Sequence, residues 1–336
     1  MHEAVLSKKL SNQTVQCLAC EWKCTLKPGM VGICGVRKNV AGSLMLLVWG
    51  KMTAVAVDPM EKKPLYHFLP GSQILSMGTV GCNFSCEFCQ NFWESQKSKE
   101  VGIKVEELGE RVKPKNLVEY CVKNKIPAIA FTYNEPTIFS EWAVEVMKVA
   151  KKKGIKGVFV TNGYMTRETL DYLDNYIDAY NIDLKSFSDK FYGEVCRAKL
   201  KPVLNNIEEI YKRKKWVEVT TLIIPGKNDS QKELKQIAKF LANISKNIVW
   251  HVSAFHPDYR MLDVESTGYE KLKEAVEIGR RLGLNYVYAG NVDKFNTTFC
   301  PKCRTEVIIR CGYQVENKLK RGACPKCYHK LAGVWE

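Results

Sequence analysis

Three cysteines stand in the run Gly81-Cys82-Asn83-Phe84-Ser85-Cys86-Glu87-Phe88-Cys89-Gln90-Asn91, spaced C-x3-C-x2-C. Three thiolates on one loop can grip three corners of a [4Fe–4S] cube. No fourth cysteine follows at a matching distance, so one iron stays open to a small molecule that offers an amine and a carboxylate. The competing readings are a zinc site or three buried thiols. Zinc loops favour C-x2-C pairs a dozen or more residues apart and want four ligands, so Cys82, Cys86 and Cys89 are read as ligands of an iron–sulfur cluster. Phe84, Phe88, Phe92 and Trp93 are placed to shield such a cluster from water.

Two further cysteine sets flank this loop in the chain. Cys300-Pro301-Lys302-Cys303 and Cys324-Pro325-Lys326-Cys327 are paired knuckles of the kind that close on one tetrahedral zinc; an auxiliary iron–sulfur cluster is the rival. Cys17, Cys20, Cys24 and Cys34 form a C-x2-C-x3-C-x9-C set with Gly29, Gly32 and Gly35 for its turns. That set can hold a second zinc or an auxiliary iron–sulfur cluster, and spacing does not separate the two. Cys121 and Cys196 are isolated and read as buried thiols, and Cys311 is spaced from neither knuckle as a ligand should be.

Fourteen cysteines in a chain without an N-terminal signal pattern point to metal and redox chemistry in a reducing, cytoplasmic setting. No apolar run is long enough to span a bilayer, so no membrane role is expected. The 336 residues, 46% hydrophobic and 26% charged, suit one sizeable core with small appendages. A formal charge of +15 allows an RNA partner, but several basic runs fall where helices end, and nucleic acid is the less favoured reading. Lys151-Lys152-Lys153, for example, closes a helix before Gly154.

Three regions are expected: an accessory cysteine-rich domain over 1–72, a central domain over 73–292 and a zinc-ribbon-like tail over 293–336. The central part alternates apolar runs with amphipathic stretches. Strands are expected at 74–80, 128–133, 157–161, 179–184, 217–224, 249–255 and 286–289, mostly as continuous buried runs. Ser230 with Glu233, and Thr267 with Glu270, read as capping boxes that open helices. Strand–helix alternation implies a parallel sheet, and the polar motifs fall at the C-terminal ends of the strands. The fold class is therefore α/β, a partial (βα) TIM-like barrel with N- and C-terminal cysteine-rich metal-binding appendages.

The motifs Asp58-Pro59-Met60-Glu61-Lys62-Lys63-Pro64-Leu65-Tyr66-His67-Phe68-Leu69-Pro70-Gly71, Thr132-Tyr133-Asn134-Glu135-Pro136, Thr161-Asn162-Gly163, Asn181-Ile182-Asp183-Leu184-Lys185 and Pro225-Gly226-Lys227-Asn228-Asp229 occur in that order around the cysteine loop. In number and order they resemble the radical S-adenosylmethionine (radical SAM) proteins related to pyruvate formate-lyase activating enzyme, most closely the AmmeMemoRadiSam branch. The resemblance covers about 17–335. It implies S-adenosyl-L-methionine as cofactor, cleaved reductively at the cluster to a 5′-deoxyadenosyl radical. It further implies that Glu135 meets the cofactor's amine, with Asn134 beside it where the family carries glycine. Asp183 and Lys185 would reach its carboxylate, ribose or sulfonium side, and Asn162 its ribose. A salt bridge lining the barrel mouth is the plainer reading of Asp183 and Lys185. His251 and His256 border the sixth strand, as open to a structural role as to a substrate pocket.

Three functions follow. The first is hydrogen abstraction from a small molecule, lipid or modified biopolymer, with an electron donor of flavodoxin or ferredoxin type and partners from the AmmeMemoRadiSam system. The second is activation of a glycyl-radical enzyme at a protein glycine, for which the two cysteine-rich additions are superfluous. The third is a non-enzymatic, zinc-rich RNA-binding protein, which leaves the motifs at the strand ends unexplained.

Overall fold

The computed structural model describes residues 1–292 and 294–336; Asp293, where the expected tail begins, lies outside the described residues. They form two compact units. Met1–Asp58, Ile74–Asp178 and Val195–Ala198 make the first; Pro59–Gln73, Ala179–Glu194 and Lys199–Glu336 make the second.

In the first unit, strands β1 (Gln73–Gly78), β2 (Ala128–Phe131) and β3 (Lys156–Thr161) run parallel in that order, with Ala130 opposite both Ser76 and Val158. All four residues of β2 are buried, which is why the sequence shows a continuous apolar run rather than alternation. Helix α1 (Pro114–Lys123) starts on a proline whose missing N–H costs nothing there, and buries Leu117, Val118 and Cys121. Helix α2 (Ser140–Ala150) tightens into a 3-10 turn over Lys151–Lys153 and stops at Gly154, whose φ of +72° is open to glycine. Helix α3 (Arg167–Leu173) is capped by Thr166, which accepts from the Thr169 N–H at 3.1 Å.

Short antiparallel strands carry the first N-terminal cysteines, Val15–Cys17 lying between Ser7–Lys9 and Thr25–Leu26. Arg37 fixes this region to α2. It is buried, donates from NH1 to Glu141 Oε1 at 3.0 Å and from Nε to the Ile138 carbonyl at 2.8 Å, and meets Glu141 Oε2 through NH2. Removing either partner would strand a buried charge, a loss of about 3–5 kcal/mol.

In the second unit, β4 (Ala179–Asp183), β5 (Trp216–Ile223), β6 (Val249–Ala254) and β7 (Tyr286–Gly290) are parallel in sequence order, joined through helices α4 (Leu200–Lys212), α5 (Gln231–Ile244) and α6 (Tyr269–Arg281). Ser230 caps α5 as expected, accepting from the Glu233 N–H at 3.3 Å. Thr267 does not cap α6, which begins after Gly268 with no side-chain cap. Its hydroxyl instead donates to the Ile223 carbonyl and accepts from the Phe255 N–H, tying the ends of β5 and β6. A tertiary pair of backbone partners outcompetes the local one.

Buried Glu218 on β5 organises the lead-in at 59–71. It accepts from the backbone N–H groups of Tyr66 and His67 at 2.9 and 2.8 Å, from Trp216 Nε1 at 2.9 Å, and lies 2.7 Å from His251 Nε2. The tail adds antiparallel strands Thr298–Phe299, Glu306–Cys311 and Gln314–Asn317. Among the described residues no helix is long and apolar enough to cross a membrane.

Candidate active site

The cysteine loop leaves β1 through Gly81, whose φ of +101° only glycine adopts readily. Cys82 and Cys86 are buried and Cys89 is half-buried. Each part of the loop is tied down. The Phe84 N–H donates to Cys82 Sγ at 3.4 Å, Cys89 Sγ lies 3.1 Å from Ser95 Oγ, and Trp22 Nε1 donates to the Asn83 carbonyl at 2.9 Å. The Ser85 and Glu87 N–H groups donate to the carbonyls of Cys196 and Val195 at 3.0 and 3.1 Å. Lys99 donates to Ser85 Oγ at 2.9 Å and to Gln96 Oε1 at 3.0 Å.

Burial pushes the Cys82 thiol far above its ordinary range, and the nearby Lys99 ammonium pulls the other way. A metal centre here must therefore displace a proton as it binds. Phe84 and Phe88 are buried over the loop, Phe84 edge-on to Tyr164 at 5.2 Å. Phe92 and Trp93 are exposed, so the shield expected of all four aromatics falls to the first two; the other two sit on a short surface turn of helix.

Glu135 follows β2 and is buried. Its Oε1 accepts from the Thr137 N–H at 3.0 Å, from Thr161 Oγ1 at 2.7 Å and from the Thr137 hydroxyl; its Oε2 accepts from the Asn162 N–H at 2.7 Å. Burial raises its pKa above the usual carboxylate value, against those four donors. The carboxylate is thus a clasp between the ends of β2 and β3, with lone-pair capacity left on Oε2. Asn134 is committed to the loop before Cys82, donating to Thr79 Oγ1 at 3.0 Å and the Gly81 carbonyl at 2.8 Å, and accepting from the Thr79 N–H at 3.2 Å.

Asn162 connects the clasp to the cysteines. Its Nδ2 donates to Asn83 Oδ1 at 2.7 Å and lies 3.9 Å from Cys82 Sγ. Asn83, next to Cys82, is buried, and among the described residues its own Nδ2 has no hydrogen-bond partner. An orphaned buried donor costs about 1–3 kcal/mol, and an acceptor brought by a bound group would recover it. Three thiols and an unfilled donor are a donor set that fits an iron–sulfur centre with a polar ligand.

Asp183 and Lys185 lie in the second unit, at and just beyond the end of β4. They pair with each other at 2.9 Å, the salt bridge of the plainer reading. Lys185 is further tied through its backbone N–H to the Tyr192 hydroxyl and through its carbonyl to Asn228 Nδ2. His251 is buried on Glu218, whereas His256 is exposed.

The tail sulfurs converge. Those of Cys300, Cys303, Cys324 and Cys327 all lie within 4.8 Å of one another, with Cys300–Cys327 and Cys303–Cys324 at 3.6 Å. Four thiolates at 2.3 Å from one zinc would stand about 3.8 Å apart. The two knuckles also repeat their turn: the Arg304 N–H donates to the Cys300 carbonyl and the Tyr328 N–H to the Cys324 carbonyl, both residues at φ near +60°. In the N-terminal set Cys17, Cys20 and Cys34 are buried and Cys24 is half-buried.

Residues 77–241 match the model of the radical SAM superfamily. The chain belongs to this superfamily. An uncharacterized protein of Methanocaldococcus jannaschii is 39% identical over 92% of both chains. Pyruvate formate-lyase-activating enzyme of Clostridium pasteurianum is 24% identical over 58% of this chain and 84% of its own. A solved domain of pyruvate-formate lyase-activating enzyme from Bacteroides vulgatus superposes with a TM-score of 0.44 at 21% identity, covering 48% of this chain and 98% of that one.

This radical SAM protein is thus related to the pyruvate formate-lyase activating enzymes. Its fold class is the α/β partial barrel of the superfamily, with a cysteine-rich appendage near the C-terminus. It is an enzyme, so the non-enzymatic RNA-binding reading is set aside. The superfamily implies a [4Fe–4S] cluster and S-adenosyl-L-methionine. The sequence alone points to neither Asn83 nor Lys99. Asn83 lies inside the motif with no neighbour to mark it, and Lys99 lies outside it.

Proposed function

We propose that Cys82, Cys86 and Cys89 hold a [4Fe–4S] cluster whose open iron binds S-adenosyl-L-methionine, and that the enzyme abstracts hydrogen from a small molecule, lipid or modified biopolymer. When bound, the pair supplies a 5′-deoxyadenosyl radical from one electron delivered by a flavodoxin- or ferredoxin-type donor. The observation that carries this reading is the run from Cys82 through Asn83 and Asn162 to Glu135, where the three-thiol loop, an unfilled donor and a buried carboxylate adjoin.

The chain's own residues do the positioning. Asn134 holds the loop at Thr79 and Gly81. Glu135 holds the ends of β2 and β3 and offers Oε2 to a cofactor amine, an acceptor well matched to an ammonium. For Asp183 and Lys185 the cofactor role rests on the sequence motif alone, and within the second unit they form a paired acid and base. The four tail cysteines hold one zinc, on the 3.6 Å sulfur spacing.

Anaerobic reconstitution tests the reading: reduced protein with S-adenosyl-L-methionine should release 5′-deoxyadenosine, and cluster-free protein should not. A second reading, glycyl-radical activation, draws on the relatives named as activating enzymes. It predicts that deuterium from a partner protein's glycine enters 5′-deoxyadenosine. The first reading predicts transfer only from a separate substrate, with AmmeMemoRadiSam proteins as the partners to test.

A further inference from the structure

The N-terminal thiols lie against the cluster loop. Cys34 closes their C-x2-C-x3-C-x9-C set, and its carbonyl accepts from Ser98 Oγ at 2.9 Å. A β-carbon at Gly81 would stand 2.7 Å from that same carbonyl, so the residue before Cys82 touches the residue that ends the N-terminal set. Gly35 presses equally on the far side of the loop, where a β-carbon would fall 2.5 Å from the Ser98 carbonyl. Lys99, next in sequence, is close enough to act electrostatically on Cys82, Cys86, Cys89 and also Cys34. The two thiol sets share a wall and a cation.

Their sulfur spacing differs from that of the tail. Among the described residues only the tail set gathers three or more ligand atoms all within 4.8 Å. The N-terminal sulfurs adjoin without closing: the β position of Gly32 lies 3.8 Å from Cys24 Sγ and 3.9 Å from Cys34 Sγ. Wider spacing suits a centre in which each thiolate takes its own iron rather than all four sharing one ion. Arg37, buried and held by Glu141, acts on Cys17 and Cys34 with a fixed positive charge that offsets thiolate charge. Cys24 is half-buried, and around it in the chain Met30, Val31 and Ile33 are exposed, with Lys27 beside them and Lys23, which pairs with Glu21 at 3.6 Å. Exposed apolar residues with a basic rim suit docking of an acidic protein.

We propose that Cys17, Cys20, Cys24 and Cys34 hold a second iron–sulfur centre that relays single electrons from an acidic one-electron carrier protein to the centre on Cys82, Cys86 and Cys89. The step moves one electron and no atoms. The carrier is oxidised by one electron, the N-terminal centre is reduced and then reoxidised, and the Cys82 centre gains the electron. The proposal rests on the reading of the cysteine loop given above.

The test uses the full chain carrying C82A, C86A and C89A together, reconstituted anaerobically with iron and sulfide beside the unmodified protein. The variant is expected to keep about four irons and a reducible cluster spectrum, against about eight in the unmodified protein. Iron retained by the unmodified protein but lost from the variant, or a second zinc equivalent beside that of the tail, overturns the relay and leaves the Cys82 reading standing. About four irons in both proteins would instead place the iron outside Cys82, Cys86 and Cys89 and remove the Cys82 reading. In a second arm, C24S is expected to slow reduction of the Cys82 centre by a reduced flavodoxin at least about tenfold. An unchanged rate overturns the relay.

Discussion

The Glu135 carboxylate accepts the Asn162 backbone N–H at 2.7 Å, joining the turn after β2 to the turn after β3 beside the cysteine loop. From Asn162 the same chain of hydrogen bonds reaches Asn83 and so the residue next to Cys82. A carboxylate that could have been a free anchor is the brace that sets the loop's neighbours.

Glu135→Gln tests both roles at once. The amide nitrogen must face at least one of four donors, leaving a buried donor unmet, so stability should fall by about 1–3 kcal/mol. Losing a charge-assisted bond should also weaken S-adenosyl-L-methionine binding about tenfold to a hundredfold. Denaturant unfolding measures the first and titration of the reconstituted cluster's spectrum the second. Unaltered cofactor affinity with reduced stability would leave Glu135 as brace alone.

Gly81→Ala should block iron loading. A β-carbon there meets the Cys34 carbonyl and Val36 Cγ1, each at 2.7 Å, on a backbone at φ +101°. The strain is local, so circular dichroism should stay near that of the parent while iron content drops. Full iron loading would show that the loop yields.

Cys303→Ser should remove one zinc equivalent and lower the Tm, since metal binding there is folding free energy for a small tail. The absorption of the Cys82 centre should not change. Loss of iron instead of zinc would assign the tail an auxiliary cluster.

Buried His67, whose backbone N–H donates to Glu218, makes the second unit acid-sensitive. Burial lowers the His67 pKa from 6.5 to about 4, against the pull of Glu218. Its Nδ1 lies 2.8 Å from the Ala332 carbonyl and its Nε2 2.7 Å from the Tyr288 hydroxyl, which fits a neutral ring donating from Nδ1. The unfolded chain takes up this proton first, so stability is full above pH 6.5 and declines as pH falls toward 4. Glu218 has the same sign lower down: burial opposes its ionisation, but the hydrogen bond and charge of His251 prevail and hold its pKa below 4.5. His67→Gln should flatten the pH dependence of Tm between 6.5 and 4; a slope equal to the parent's would contradict the assignment.

The strands were legible because both faces of β2, β4 and β6 are covered, which leaves continuous apolar runs. The gathering of the tail cysteines was legible because knuckle spacing is local, and the other two sets stand out in sequence for the same reason. What holds them is not. Arg37 and Glu141, or Glu218 and His251, lie far apart in sequence and leave no periodicity to read. Thr267 and Glu270 carry the same pattern as Ser230 and Glu233, yet only Ser230 caps; a tertiary carbonyl takes the other hydroxyl. Asn83 and Lys99 look like ordinary polar residues until the fold buries Asn83 beside Cys82 and ties half-buried Lys99 to the cysteine loop at Ser85.

The central claim concerns the three-thiol loop, and 5′-deoxyadenosine tests it most directly. Anaerobically reconstituted protein, reduced in the presence of S-adenosyl-L-methionine, should form it, and Cys86→Ala should form none while keeping the zinc of the tail. Undiminished 5′-deoxyadenosine from Cys86→Ala would contradict the assignment of Cys82, Cys86 and Cys89 as the cluster's ligands.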